Sequence, residues 1–195
     1  MKKAKLLTTL AAVALIGAIG VGSTFAYLSS KTETVVNTFT VGNVVITLDE
    51  KDTDNSTPNA ERDQANAYTD MIPGSSYEKD PTVHVAANSE NCYVFVKVTG
   101  LDANANALEI NNFNKNLVKA DGITDKKDGI YRYNAVVTKS KNVQDIVVFN
   151  GFTLKSNVVG GTKITNITVE ACAVQAGNLN ETTALTEAKA AANWN

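Results

Sequence analysis

Any chemistry in this chain would have to be built around one histidine. Of the 195 residues only His84 carries an imidazole, and acidic side chains stand near it at Glu78, Asp80 and Glu90. Protease-type zinc sites place two histidines one helical turn apart with a carboxylate between them, and a single imidazole cannot form that H-E-x-x-H pair. Glu78, Asp80, His84 and Glu90 could in principle surround a cation. A solvent-face histidine among carboxylates is nevertheless a common surface feature, and we assign no metal to it. No serine lies in a nucleophile-elbow context, and Gly160-Gly161 reads as a turn, not a phosphate loop. Asp49, Glu50, Asp52 and Asp54 are close in sequence, but the stretch lacks the spacing of a calcium loop and reads as solvated. These residues point to a non-enzyme that needs no cofactor.

Cys92 and Cys172 are the remaining reactive pair. A bridge between them would close a loop of about 80 residues and contribute about 4 kcal/mol if unstrained. In alternating strands, Cys92 shares a face with Val94, Val96 and Val98, whereas Cys172 shares one with Thr168 and Glu170. Unless a bulge re-aims one strand, the thiols face different sides, so the residues leave the disulfide open.

The elements that position these groups begin with an export leader. Lys2, Lys3 and Lys5 form a positive start, Leu6 to Gly22 an apolar Ala/Gly-rich run, and Thr24-Phe25-Ala26 puts small residues at −3 and −1 of a cleavage site before Tyr27. The run is about 17 residues, at the low end for a membrane span, and its flanks favour removal. Residues 1–26 are thus expected to be a signal peptide and 27–195 a single domain. Of the 18 basic residues, Lys2, Lys3 and Lys5 leave with the leader, so 15 face 20 acidic ones, a net charge of −5. Such a surface gives no electrostatic footprint for nucleic acid or anionic lipid. An exported chain with this composition implies no nucleic acid partner and no membrane association after processing.

Period-2 patterns dominate the mature chain. Val35, Phe39 and Val41 share one parity and Val44, Ile46 and Leu48 the other, with Gly42 at the phase change. Asp49 to Asp70 has little to bury and reads as a long exposed loop, ended by the Met71-Ile72-Pro73-Gly74 turn. Pro81, Val83 and Val85 alternate with Thr82 and His84. Cys92 to Val98 is nearly continuous apolar, as expected for a central strand. A short helix is expected near Asn112 to Lys119. Strand signals resume at Ile130 to Thr138, Asp145 to Phe149, Phe152 to Asn157 and Thr162 to Ala176. Glu181 to Trp194 is Ala-rich and predicts a C-terminal helix capped by Asn180, with Trp194 anchoring it to a sheet. Six to nine short strands predict an all-β, jelly-roll-like antiparallel β-sandwich with a few short helices.

Several of these segments also resemble a known family. Ala26-Tyr27-Leu28-Ser29 is similar to the cleavage site and mature start of TasA/camelysin proteins, which a SipW-type signal peptidase processes in Gram-positive bacteria. Asn37-x-Phe39-x-x-Gly42 followed by Val44-x-Ile46 resembles the family's N-x-F-x-x-G and L-x-[IL]. Ile72-Pro73-Gly74, Lys79 to Val83, Cys92 to Val98 and Glu170 to Ala176 come after them in family order. The resemblance implies a secreted fibre or biofilm-matrix subunit that self-associates or joins a related matrix subunit, located outside the cell or on its surface. It does not imply the disulfide, because the family's usual residue at position 172 is aromatic or aliphatic. Camelysins have been described as metalloproteases, but the single histidine disfavours that activity here.

The physical content of that reading lies in residues 27–41, a Thr-, Val- and Asn-rich segment freed by cleavage. An extended segment of this kind can add to the edge of another subunit's sheet, with Val35, Val36, Phe39 and Val41 as burying side chains. The alternative is a monomeric secreted binding module on the same scaffold, with Tyr68, Tyr77, Tyr131 and Tyr133 as candidate contacts. Tyr131 and Tyr133 share parity with Ala135 and Val137, which places them in the core.

Overall fold

The structure is a computed structural model, and it describes residues 29–31, 43–58, 60–120 and 128–194. Twelve strands and one helix are present among them. The strands are β1 (Ser29–Lys31), β2 (Ile46–Lys51), β3 (Arg62–Asp63), β4 (Ser76–Glu78), β5 (Thr82–Val85), β6 (Cys92–Thr99), β7 (Leu108–Asn111), β8 (Leu117–Lys119), β9 (Gly129–Tyr133), β10 (Gln144–Val147), β11 (Gly151–Leu154) and β12 (Thr168–Gln175). The helix is α1 (Glu181–Ala192).

Every pairing is antiparallel, and the strands form three sheets: β1-β12-β6-β9-β8, β10-β5-β2-β3 and β4-β11-β7. Four of the pairs nest inside one another: β1 with β12, β4 with β11, β5 with β10, and β6 with β9. Nesting of this kind is a long two-stranded ribbon rolled into a sandwich, the jelly-roll arrangement the sequence predicts.

The core follows the alternation. Val94, Val96 and Val98 of β6, with Ala171 and Ala173 of β12, pack against Ile46, Val83, Val85 and Ile146 of the second sheet. Val44 and Ile46 are buried and Leu48 packs partly against them, so their shared parity is one face. On the other face of the first sheet, Phe95, Cys172 and Val174 meet Ala184, Ala188, Ala192 and Trp194 of the C-terminal segment. Both faces of β6 are therefore covered, which is why its sequence is nearly unbroken apolar. The small third sheet has its own core of Ala107, Leu108, Phe152 and Leu154.

α1 forms as expected. Asn180 Oδ1 accepts from Thr183 N at 2.9 Å, capping the first turn, and Trp194 is buried.

Three expectations are corrected. The helix near Asn112 to Lys119 is absent: Asn112 takes a left-handed φ of 51° and Leu117–Lys119 is strand β8, paired with β9. A residue in that conformation interrupts helical propagation. The last strand begins at Thr168, not Thr162, because Thr165 is held by the side chain of Asn104 and not by a sheet partner. The Asp49–Asp70 stretch is not a free loop. It contains β3, and its acidic side chains accept the loop's own N–H and hydroxyl groups, including Ser56 N and Ala67 N on Asp54, and Ser56 Oγ and Thr57 Oγ1 on Asp63. The hydrogen bonds on Asp54, that of Ala67 N first and those of Ser56 after it, bring its carboxyl down to about 2.

Candidate functional site: the outer edge of β12

β1 is the outermost strand of the first sheet. Its register on β12 sets Ser29 opposite Val174, Ser30 opposite Ala173 and Lys31 opposite Cys172. β1 therefore covers the C-terminal half of that edge. Beside the N-terminal half lies a cleft of about 590 Å³ between β12, the β2–β3 hairpin and the third sheet. Its walls are mixed. Leu48, Met71, Leu108, Phe152, Ile164, Ile167 and Val169 give apolar surface, and Glu50, Asn66, Lys79, Thr168 and Glu170 give polar groups. At one side Lys79 Nζ meets Glu50 Oε2 at 2.6 Å, and the other oxygen of the buried Glu50 accepts from Asn66 N at 3.1 Å.

The facing edge, on β2, is treated differently. Gln64 Nε2 donates to Leu48 O at 3.1 Å, and Arg62 Nη2 donates to Asp49 O at 3.4 Å. Asp49 O faces the paired strand β5, so of the two it is Leu48 O, on the β3 side, that an incoming strand would need, and the Gln64 side chain occupies it. Of the two edges beside the cleft, β12 carries β1 and β2 carries only the two-residue β3.

The residues singled out by sequence are distributed as follows. Thr24, Ala26 and Tyr27 of the cleavage site lie outside the described residues, as do residues 1–26 and the burying side chains Val35, Val36, Phe39 and Val41. Within the expected assembly segment 27–41, Ser29–Lys31 is described, and here it pairs with β12 of its own chain.

No disulfide joins Cys92 to Cys172, which lie on opposite faces of the first sheet: Cys92 packs with the inter-sheet core and Cys172 with the helix. No bulge re-aims either strand, because the β6–β12 register runs unbroken from Thr168 opposite Thr99 to Gln175 opposite Cys92. Burial pushes the Cys92 thiol up to about 12.

The acidic set around His84 is not assembled. Glu78 pairs with Lys51, Asp80 with Arg62 and Glu90 with Lys139. Among the described residues no group of three or more His, Cys, Asp or Glu has a metal-holding arrangement. His84 instead bridges strands: Nδ1 lies 2.7 Å from Asp145 on β10 and Nε2 2.9 Å from Asp49 on β2, and Arg62 of β3 also bonds Asp49. Burial alone would lower the imidazole pKa, but the hydrogen bonds and charges of Asp49 and Asp145 outweigh it and hold it above the ordinary 6.5.

Tyr68 and Tyr77 are not free contact rings. Tyr77 stacks on Phe152 and Tyr68 meets it edge-on, with Tyr68 Oη donating to Glu78 O and Tyr77 Oη accepting from Ile72 N, each at 2.6 Å. Burial first, with Glu50 and other nearby acids adding to it, pushes the Tyr68 hydroxyl up to about 12. Tyr131 is buried in the main core and Tyr133 packs partly against it.

Sequence reasoning missed Asn104, a buried polar residue that fixes one wall of the cleft. Its Nδ2 donates to Gly100 O and Thr165 O, each at 2.8 Å, and its Oδ1 accepts from Thr165 N at 3.0 Å. Nothing in an Asn-rich turn sequence marks one asparagine as the buried one. In comparison with known proteins, no family model, no curated protein and no solved structure matches the chain.

Proposed function

We propose that this chain is an exported structural subunit, freed by a SipW-type signal peptidase, that builds extracellular fibres or matrix by donating its N-terminal segment to the β12 edge of a neighbouring copy. One observation carries the reading: β1 sits at the outermost position on β12, at the mouth of a cleft, while on the facing strand β2 the Gln64 side chain occupies Leu48 O. The same edge serves a strand from either source. Continued in the register that sets Lys31 opposite Cys172, an extended segment brings Val35 opposite Thr168 and Val36 opposite Ile167, alongside the cleft. Backbone pairing would supply affinity, and alternate apolar side chains would fill the cleft. A head-to-tail contact of this sort does not close on itself and so makes a fibre. The protein is read as a non-enzyme, without cofactor, and without membrane contact after processing.

The test is assembly of the chain that starts at Tyr27. Negative-stain microscopy should show fibres. Deleting residues 27–40 should leave a folded, fibre-incompetent monomer, and Phe39→Asp should weaken assembly without unfolding the subunit. Normal polymerisation of the deleted chain would overturn strand donation. If the deleted chain does not fold, the segment belongs to its own sandwich and the alternative, a monomeric secreted binding module, gains.

A further inference from the structure

α1 does more than cover a sheet. It packs against β1 as well as against β12 and β6, so it overhangs the edge where a strand docks. Its contact face is a flat stripe, Ala184, Ala188 and Ala192, one residue in four, set on Phe95, Cys172 and Val174. Such a stripe allows close approach but offers little area per residue, so a helix of 12 residues needs fastening at its ends. The N-terminal fastening is Arg132 to Glu181 at 2.8 Å, with Tyr93 Oη donating to Leu179 O at 3.2 Å.

The C-terminal fastening is different in kind. Asn193 adopts the left-handed conformation (φ 53°), and Trp194 N returns to Lys189 O at 2.9 Å. This reversal folds Trp194 back beneath the helix, where it is buried and its Nε1 donates to Glu170 Oε2 at 2.8 Å. Glu170 lies on β12 just beyond the stretch that β1 covers, and it lines the cleft. One tryptophan therefore ties the end of the helix to the acceptor strand at the boundary between the covered half of the edge and the cleft.

We propose that α1 is the outer wall of the strand-acceptor edge, fastened through Trp194 to Glu170, and that this fastening sets how long a strand on β12 stays docked. For a strand from a neighbouring copy the inference rests on the strand-donation reading; for the chain's own β1 it stands alone. Trp194 and Glu170 act here as positioning residues, holding the wall and making no chemistry.

Hydrogen exchange on the chain starting at Tyr27 tests this directly. Trp194→Phe keeps the bulk and removes the donor. Glu170→Ala keeps the indole and removes the acceptor, and serves if the first variant fails to fold. Either should speed exchange at Ser29 to Lys31 about tenfold, the equivalent of about 1.4 kcal/mol, the scale of one hydrogen bond to a charged group. Protection in β6 and β9 should stay unchanged. Unchanged exchange at Ser29 to Lys31, or loss spread evenly through β6 and β9, overturns the proposal; the latter is a merely structural effect. A labelled peptide of residues 27–41 supplies the second arm. Its dissociation should quicken about tenfold in the variants while its association stays within about twofold. If neither protein takes up the peptide, strand donation falls, and the exchange result still decides the role of Trp194.

Discussion

Replacing Asn104 with Ala should loosen one wall of the cleft without touching the β12 edge itself. Asn104 lies in the turn between β6 and β7, and its side chain staples that turn to the segment before β12. Gly100 O and Thr165 O each lose a donor at 2.8 Å, and Thr165 loses an acceptor for its N–H at 3.0 Å and for its hydroxyl at 3.2 Å. Thr165 is exposed, so water can re-satisfy its groups. The junction at Gly100 is tighter. Gly100 sits at φ +90°, and a Cβ there would collide with Asn166 O, which shows how closely the two segments approach. A typical bond contributes about 1 kcal/mol net and an orphaned buried group costs about 1–3 kcal/mol. One orphaned carbonyl plus partly repaid bonds predicts a loss of about 2–4 kcal/mol. Urea unfolding of the chain from Tyr27 should show a lower midpoint at unchanged slope. Peptide 27–41 should also bind more weakly, because Thr165, Asn166 and Ile167 line the cleft. A stability change below about 0.5 kcal/mol, the range of an ordinary surface substitution, would refute the reasoning.

Two further predictions concern the titratable groups. The His84 pKa is raised in the folded protein by Asp49 and Asp145 against the opposing effect of burial. Its contribution to stability is therefore fully present below the ordinary 6.5 and is lost as pH rises through the folded value. The imidazole proton shifts of the only histidine should titrate with a midpoint above 6.5, and His84→Gln should flatten the decline in stability; a midpoint at or below 6.5 would sink the claim. Cys92 and Cys172 should remain thiols in the folded protein and resist alkylation until it unfolds, since both are buried and they lie on opposite faces. Mass spectrometry under non-reducing conditions that finds them linked would contradict the register between β6 and β12.

Much of the fold was legible because alternation in a half-buried strand is a local signal. The parity of Cys92 with Val94, Val96 and Val98, and of Cys172 with Thr168 and Glu170, pointed the two thiols to different faces, and the structure sets one in the inter-sheet core and the other beneath the helix. Cap and anchor of the last helix were also readable, from Asn180 and Trp194. What could not be read depends on pairing at a distance. β3 spans only Arg62–Asp63 and owes its place to β2, not to any propensity of its own. His84 is bonded by Asp145, 61 residues away, and Asn104 by Thr165, also 61 residues away, so neither partnership leaves a trace in local composition. The same holds for the cleft, whose walls come from β2, β7, β11 and the approach to β12. The acidic loop misled in the other direction. Low hydrophobicity suggested a free segment, but Asp52, Asp54, Asp63 and Asn66 order it by accepting its own backbone and hydroxyl hydrogens.

The nested ribbon explains why strand and helix meet at one edge. In such a ribbon the inner pairs, β4–β11, β5–β10 and β6–β9, cannot separate without opening everything packed around them. The β1–β12 pair lies outside them all, so β1 can leave or be replaced while the rest of the sandwich stays paired. β12 cannot leave in the same way, because its other side is bonded to β6 along eight consecutive residue pairs. Under the proposed exchange the two strands would therefore be unequal by topology: β1 is held by three residue pairs, whereas β12 stays fixed to β6. Because α1 comes directly after β12, it is, among the described residues, the element positioned to close over that edge. This asymmetry predicts that substitutions along β6, such as Val96→Ala, with a side chain fully buried in the inter-sheet core, should lower global stability by about 0.5–3 kcal/mol, the range of most destabilising point substitutions. They should leave the free energy of β1 release itself unchanged. Changes at the outer edge should do the reverse.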